Sequence, residues 1–203
     1  MTRGTFIAFE GGEGSGKSTQ SRRIAEVHGA LLTRQPGGTE IGASIRELLL
    51  STDTEGLSLR AEALLMAADR AQHVEEIIRP TLDGGSHVVC DRYLASSLAY
   101  QGAGRELGEA EVGALSAFAV DGLLPDLILL LDVPVEVGLG RIDSAPDRLE
   151  SLGGGFHERV RQSFLSQAAA DPQRWVVIDG TQPLDAVTAA VDAALHDRLG
   201  WTS

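Results

Sequence analysis

Gly11-Gly12-Glu13-Gly14-Ser15-Gly16-Lys17-Ser18 holds the only lysine of the 203-residue chain; the other sixteen basic side chains counted with it are arginine. Its spacing is a full match to the G-x-x-x-x-G-K-[ST] phosphate-binding pattern. The glycines let backbone N–H groups close around a β-phosphate, Lys17 offers a compact ammonium to the β/γ oxygens, and the Ser18 hydroxyl can ligate magnesium. Residues 11–19, from Gly11 to Thr19, are therefore the candidate ATP-binding segment. That chemistry needs a strand to deliver the loop and a helix to leave it. Residues 5–10 are apolar and rich in strand formers, and 17–28 read as a helix that stops at Gly29. A nucleoside triphosphate site follows, with the acceptor of the phosphate still undefined.

Composition narrows the acceptor. A length of 203 residues with 43% apolar side chains suits one domain, 1–203, with a substantial core. The formal net charge of −12 argues against a broad nucleic-acid or anionic-membrane surface, so any positive field is local. Cys90 is the sole cysteine, which excludes an intrachain disulfide; its neighbours Val88 and Val89 mark it as a buried thiol. The N-terminal apolar run is too short for a signal peptide, and Asp126 and Asp132 bracket an apolar stretch far too short to span a bilayer. The expectation is a cytoplasmic protein with no membrane and no nucleic-acid partner.

Patterning predicts strands near 5–10, 30–33, 86–90, 126–132 and 174–178. Helices are predicted near 17–28, 40–50, 58–79, 95–102, 109–121, 134–142, 155–170 and 184–198. Alternation of this kind builds an α/β fold of three layers around a mainly parallel five-stranded sheet. Ligands of such sheets gather beyond the carboxyl ends of the strands. The segments to inspect are thus the phosphate loop, 33–39, Asp91-Arg92-Tyr93, Asp132 and Asp179-Gly180.

Phe9-Glu10-Gly11-Gly12-Glu13-Gly14-Ser15-Gly16-Lys17-Ser18-Thr19, Thr33-Arg34-Gln35-Pro36-Gly37-Gly38-Thr39 and Asp91-Arg92-Tyr93-Leu94-Ala95-Ser96-Ser97-Leu98-Ala99-Tyr100-Gln101-Gly102 resemble, in order, the signatures of bacterial thymidylate kinases. Ala68-Asp69-Arg70-Ala71-Gln72-His73 and Pro146-Asp147-Arg148-Leu149-Glu150 extend the resemblance over nearly the whole chain. It implies a P-loop nucleoside monophosphate kinase-like fold, transfer of the ATP γ-phosphoryl group to dTMP in dTTP biosynthesis, Mg2+ and a homodimer.

Phosphoryl transfer between two anionic nucleotides rests on positioning and charge neutralisation, which gives arginines in one crevice more weight than a general base. Arg92, at a strand end, is placed to hold the acceptor phosphate. Asp91 would help hold hydrated magnesium opposite Ser18. Asp132 is a rival metal partner, assigned instead to capping the helix after Val133-Pro134. Met66, Arg70 and His73 share one helix face. The resemblance implies that Arg70 donates to the thymine ring, and that an aromatic commonly stacks one turn earlier, where this chain has Met66. Met66 could cover the ring or pack the core, and both readings stand. His73 reads as a helix-surface or packing residue, and no histidine has metal-ligand spacing.

Ser97, Tyr100 and Gln101 fall at positions that the family uses around the thymine and deoxyribose, Tyr100 filling the space of a ribose 2′-hydroxyl. Pro36 sits where the family's loop nears the nucleoside, and Gln35 replaces the glutamate usual there. The resemblance gives Glu13 the role of accepting the acceptor's 3′-hydroxyl. The phosphate loop has no arginine of its own, so residues 141–155, with Pro146 and the Gly153-Gly154-Gly155 hinge, read as a mobile lid. Arg148 is the first choice for its finger and Arg141 the second. A signalling GTPase is excluded: it needs an Asn-Lys-x-Asp motif, and this chain has no asparagine. Kinases for shikimate, adenylate or a deoxynucleoside are the remaining enzyme rivals.

Overall fold

The computed structural model describes residues 2–142 and 145–202. Five strands, β1 (Phe6–Glu10), β2 (Leu31–Arg34), β3 (Val88–Asp91), β4 (Leu127–Asp132) and β5 (Trp175–Asp179), form one sheet in the order β2-β3-β1-β4-β5. All four pairings are parallel, a sharper result than the mainly parallel sheet expected. Parallel strands need crossovers, and the apolar β1 and β4, buried along almost their whole length, show that helices cover both faces.

Side-chain alternation sorts each strand between two cores. Phe6, Ala8, Val88, Cys90, Ile128 and Leu130 face one, with Phe156, Val160 and Phe164 of α8 (Gly154–Ala170) packed among them. Ile7, Phe9, Val89, Leu127, Leu129 and Leu131 face the other, against Ile24 of α1 (Lys17–His28) and Val187, Val191 and Leu195 of α9 (Leu184–Leu199). In the first core the Phe6 and Tyr93 rings meet edge to face at 4.9 Å, and the Tyr93 hydroxyl donates to the Leu123 carbonyl at 3.0 Å. Such a ring pair contributes about 0.5–1.5 kcal/mol beyond its buried area.

The register decides where chemistry can assemble. Phe9 lies opposite Asp91 across the β1–β3 pair. The phosphate loop that follows β1 and the Asp91-Arg92 segment that follows β3 therefore emerge side by side at the carboxyl edge of the sheet. Gly14, at φ 64°, crosses Gly138 of α7 (Val135–Leu139) so closely that a Cβ would lie 2.0 Å from the Gly138 carbonyl oxygen. Only glycine permits that approach.

Several helices differ from their sequence reading. The helix expected over 58–79 is α3 (Leu59–His73), capped by the Ser58 hydroxyl, followed by a π-helical stretch (Val74–Ile78) and α4 (Arg79–Asp83). Pro80 explains the break: it has no N–H to donate, its ring crowds the carbonyl four residues back, and the Arg79 N–H bonds Val74 five residues back. The helix expected over 95–102 is α5 (Leu94–Ser97) running into a π-helical stretch (Leu98–Gly104). α2 (Glu40–Leu50), capped by Thr39, and α6 (Glu109–Val120) match their expected spans within a residue. α7 is shorter than the 134–142 expected, and Pro134 precedes it with no side-chain cap. Asp132 is consequently not a helix cap: its carboxylate takes two hydrogen bonds from Arg161 of α8, at 2.8 and 2.9 Å. The glycine hinge is also revised, since Gly153 caps α8 and Gly154 and Gly155 are its first turn. Residues 143 and 144 of the expected lid lie outside the described residues.

Candidate functional site

Two adjoining cavities open at the carboxyl edge. The first is lined by Glu13 to Thr19 of the phosphate loop, with Asp91, Arg92 and the further arginines Arg34, Arg46 and Arg141. Four arginines and Lys17 against few carboxylates make a local positive field inside a chain of net charge −12. Within the loop, Lys17 Nζ donates to the Gly12 carbonyl at 2.6 Å and to Ser15 Oγ at 3.2 Å. Burial and the nearby Arg92 lower the ammonium to about 8, against the pull of Glu13, Asp91 and Glu10. A dehydrated cation in that state gains most from an arriving phosphate. Ser18 Oγ donates to Asp91 Oδ2 at 2.5 Å, which sets two hard oxygen groups beside the loop. Paired oxygens of this kind, with room for phosphate and water, suit Mg2+.

The second cavity has an empty volume of about 630 Å³. The structure brings together in its wall every residue expected around the acceptor: Glu13, Pro36, Met66, Arg70, Arg92, Ser97, Tyr100 and Gln101. They come from the phosphate loop, the loop after β2, α3 and the segment after β3, so long-range packing alone makes them neighbours. Arg70 is 2% exposed; its Nε donates to Gln35 Oε1 at 2.9 Å and its Nη2 to Ser97 Oγ at 2.9 Å. Gln35 in turn bonds His73 at 3.0 Å, and the other ring nitrogen of His73 bonds Thr33 Oγ1 at 2.7 Å. His73 is thus a buried packing residue within a polar chain, its imidazole lowered to about 4 by burial and by Arg70. Met66 belongs to the cavity wall and to the first core at once.

Where the cavities meet, Glu13 Oε1 accepts from Arg92 Nη2 at 2.7 Å and from the Tyr100 hydroxyl at 2.5 Å. Burial alone would raise the Glu13 carboxyl, but Arg92, Lys17 and Tyr100 outweigh it and hold the group at about 2. The Arg92 guanidinium lies 4.9 Å from the Tyr100 ring centroid and donates to the Gly11 carbonyl at 3.0 Å. Its backbone takes φ 69°, a strained value for arginine that the surroundings must enforce. Glu10, unremarked in the sequence, does much of this: its buried carboxylate accepts from Tyr93 N at 2.8 Å and from the Ser96 N and Oγ at 3.3 and 2.6 Å. A β1 that is apolar until it ends on glutamate was the available signal, since a carboxylate at a buried strand end needs several donors. Arg46 was also missed. It donates to the Pro36 carbonyl at 2.9 Å and lines both cavities, but on α2 it reads as an ordinary surface arginine.

The two lid arginines part company. Arg148 donates to Glu62 Oε2 at 2.7 Å and to the Leu49 carbonyl at 2.8 Å, and it lines neither cavity. Its ion-pair partner is Glu62, not the lid acids Asp147 or Glu150. Arg141 stands at the phosphate loop, with Nη1 3.4 Å from the Gly14 carbonyl and 3.0 Å from the Gly180 carbonyl. In this conformation the second-choice arginine is at the phosphate cavity and the first is docked on α3. Asp147, Leu149 and Glu150 of the same turn close over the acceptor cavity.

Comparison with known proteins shows which family the chain resembles over its length. The family described as Thymidylate kinase matches residues 9–191. The thymidylate kinase of Clavibacter michiganensis subsp. michiganensis is 50% identical over 93% of this chain and 92% of its own length. That of Bifidobacterium longum strain DJO10A is 48% identical over 96% and 98%, and that of Caulobacter vibrioides 46% identical over 98% and 100%. With its phosphate loop, its paired cavities and a match of this length, the chain belongs to the thymidylate kinase family.

Proposed function

We propose that the two cavities are the ATP and dTMP sites of a single transfer reaction. As a member of the thymidylate kinase family the chain phosphorylates dTMP to dTDP using ATP. An oxygen of the dTMP phosphate attacks the γ-phosphorus, the bond to the β,γ-bridging oxygen breaks, and ADP leaves. The observation that carries this reading is the Arg92–Glu13 pair, which lines both cavities and lies on the boundary between them.

Each chemical group has a part. Lys17 and the loop N–H groups of Gly11 to Thr19 hold the ATP phosphates, and Arg92 holds the acceptor phosphate. Glu13 receives the 3′-hydroxyl while Tyr100 fills the space a 2′-hydroxyl would need. Pro36, Met66, Arg70, Ser97 and Gln101 enclose the base. Ser18 and Asp91 would hold Mg2+, which when bound neutralises charge on the phosphates. Residues 1–203 act as one kinase domain whose lid, about 141–155, supplies the finger from Arg148 or Arg141.

We further assign the reaction to dTTP biosynthesis in the cytoplasm, by a homodimer. Among the described residues no helix is long and apolar enough to cross a membrane. Phe118 on α6 and Leu64 on α3 are 87% and 57% exposed, on helices that pack together, and a second copy would cover them. The test is a radioactive transfer panel of dTMP, AMP, shikimate and deoxynucleosides. Preferential labelling of dTMP is expected, and faster labelling of any other acceptor would overturn the assignment.

A further inference from the structure

Glu62 is a carboxylate with no solvent exposure, about two turns before Arg70 on α3, and nothing in the transfer reaction uses it. Its Oε1 accepts from Gln101 Nε2 at 3.0 Å and from Arg105 Nε at 3.2 Å; its Oε2 accepts from Arg105 Nη2 at 2.9 Å and Arg148 Nη2 at 2.7 Å. Burial works to raise its pKa, but these donors win and the pKa is lowered, so the group stays an anion near neutral pH. An ionised carboxylate can only accept hydrogen bonds. Gln101 must therefore present its NH2 to Glu62, and the usual ambiguity between amide oxygen and nitrogen is removed. Gln101 Oε1 has no hydrogen-bond partner among the described residues, yet no buried side-chain polar atom there is unpaired. The oxygen is consequently open to the cavity that Gln101 lines.

We propose that Glu62 is a positioning residue for base selection: by holding the Gln101 amide in one orientation, it makes the cavity wall present an acceptor. This rests on the dTMP reading above. Arg70, in the same wall, is a pure donor. An acceptor beside a donor matches the N3–H and O4 edge of thymine. Cytosine reverses both, with an acceptor at N3 and a donor at N4. A Gln101 amide free to turn would satisfy N3 of either base and leave only Arg70 to tell O4 from an amino group, so the discrimination at N3 depends on the buried anion behind Gln101.

The probe is 5-methyl-dCMP, which keeps the methyl group and shape of dTMP and reverses its hydrogen-bonding edge. In the unmodified protein, kcat/KM for dTMP should exceed that for 5-methyl-dCMP by a wide margin. Glu62→Gln offers Gln101 either an oxygen or an NH2 and should narrow that ratio by about tenfold or more. The control Arg105→Gln leaves the carboxylate in place and should keep the ratio. A Glu62→Gln protein that loses activity toward both nucleotides alike, at an unchanged ratio, would overturn the proposal and reduce Glu62 to an ion-pair partner. If that variant does not fold, nuclear Overhauser contacts in the unmodified protein decide. Gln101 NH2 protons near the α3 protons of Glu62 with dTMP bound support the orientation, whereas contacts from those protons to the thymine imino proton overturn it. Failure of the unmodified protein to phosphorylate dTMP would instead strike the functional reading on which the inference stands.

Discussion

The donor and acceptor cavities share a wall but are built by different means. The donor cavity is built around seven consecutive residues, Glu13 to Thr19, which offer mostly backbone N–H groups and one ammonium, with arginines added from elsewhere. The acceptor cavity is assembled from side chains up to 137 positions apart, from Glu13 to Glu150, and its main polar members are oriented by other polar groups. Arg70 leans on Gln35 and Ser97, Gln35 on His73, Gln101 on Glu62, and Arg92 on Glu13. A local loop binds what all kinases share, whereas a cross-braced cavity of distant residues can be specific, because its shape is as rigid as the core it joins. The contrast predicts that donor-side changes cost chemistry alone and acceptor-side changes cost chemistry and stability together.

The largest expected effect is at Lys17. Lys17→Ala should lower kcat/KM on the order of 10³-fold, in steady-state assays, with a melting temperature close to that of the parent. Its ammonium is already disfavoured by burial in the free protein, so its removal spares the fold. A large melting loss would break the comparison on the donor side.

Next come the lid arginines, of which Arg141 lines the donor cavity and Arg148 lines neither. A finger that tightens in the transition state should, on conversion to alanine, lose on the order of 10² in kcat with a smaller change in dTMP affinity. The sequence favours Arg148 and its docking on Glu62 would then have to open, whereas Arg141 already reaches the loop. Single-turnover rates of Arg141→Ala and Arg148→Ala assign the role. If neither falls, the lid supplies no finger.

A pH effect should separate the two sides. His73 is held at about 4 in the fold against an ordinary 6.5, so the unfolded chain binds more protons between those values and stability rises with pH across that window. Acidification from pH 6.5 to 4 should therefore cost stability on the order of 2 kcal/mol through this group. His73→Gln, followed by urea unfolding at several pH values, should flatten that slope. An unchanged slope would remove His73 from the bracing chain.

Met66 carries the smallest effect and the finest distinction. Met66→Phe should leave dTMP affinity unchanged or improve it by about 0.5–1.5 kcal/mol through offset stacking, and Met66→Ala should weaken it. Because Met66 also belongs to the core, the alanine variant should melt lower as well. Calorimetric titration beside thermal melts reads both. Affinity unmoved in folded protein would make it a core residue only.

The sequence determined what depends on neighbours in the chain. The phosphate loop, its helix ending at Gly29, the strand residues that alternate between two cores and the capping of α2 by Thr39 are short-range consequences of residue type and spacing. The π-helical stretches after His73 and Ser97 were hidden, because an inserted residue leaves the hydrophobic period almost intact. Partner choice was decided only in three dimensions. Arg161 taking Asp132, Glu62 taking Arg105 and Arg148, and Glu10 organising the turn after β3 each bring together residues at least 29 positions apart. A buried charge must find compensation wherever packing places a donor, and sequence spacing holds no record of that distance.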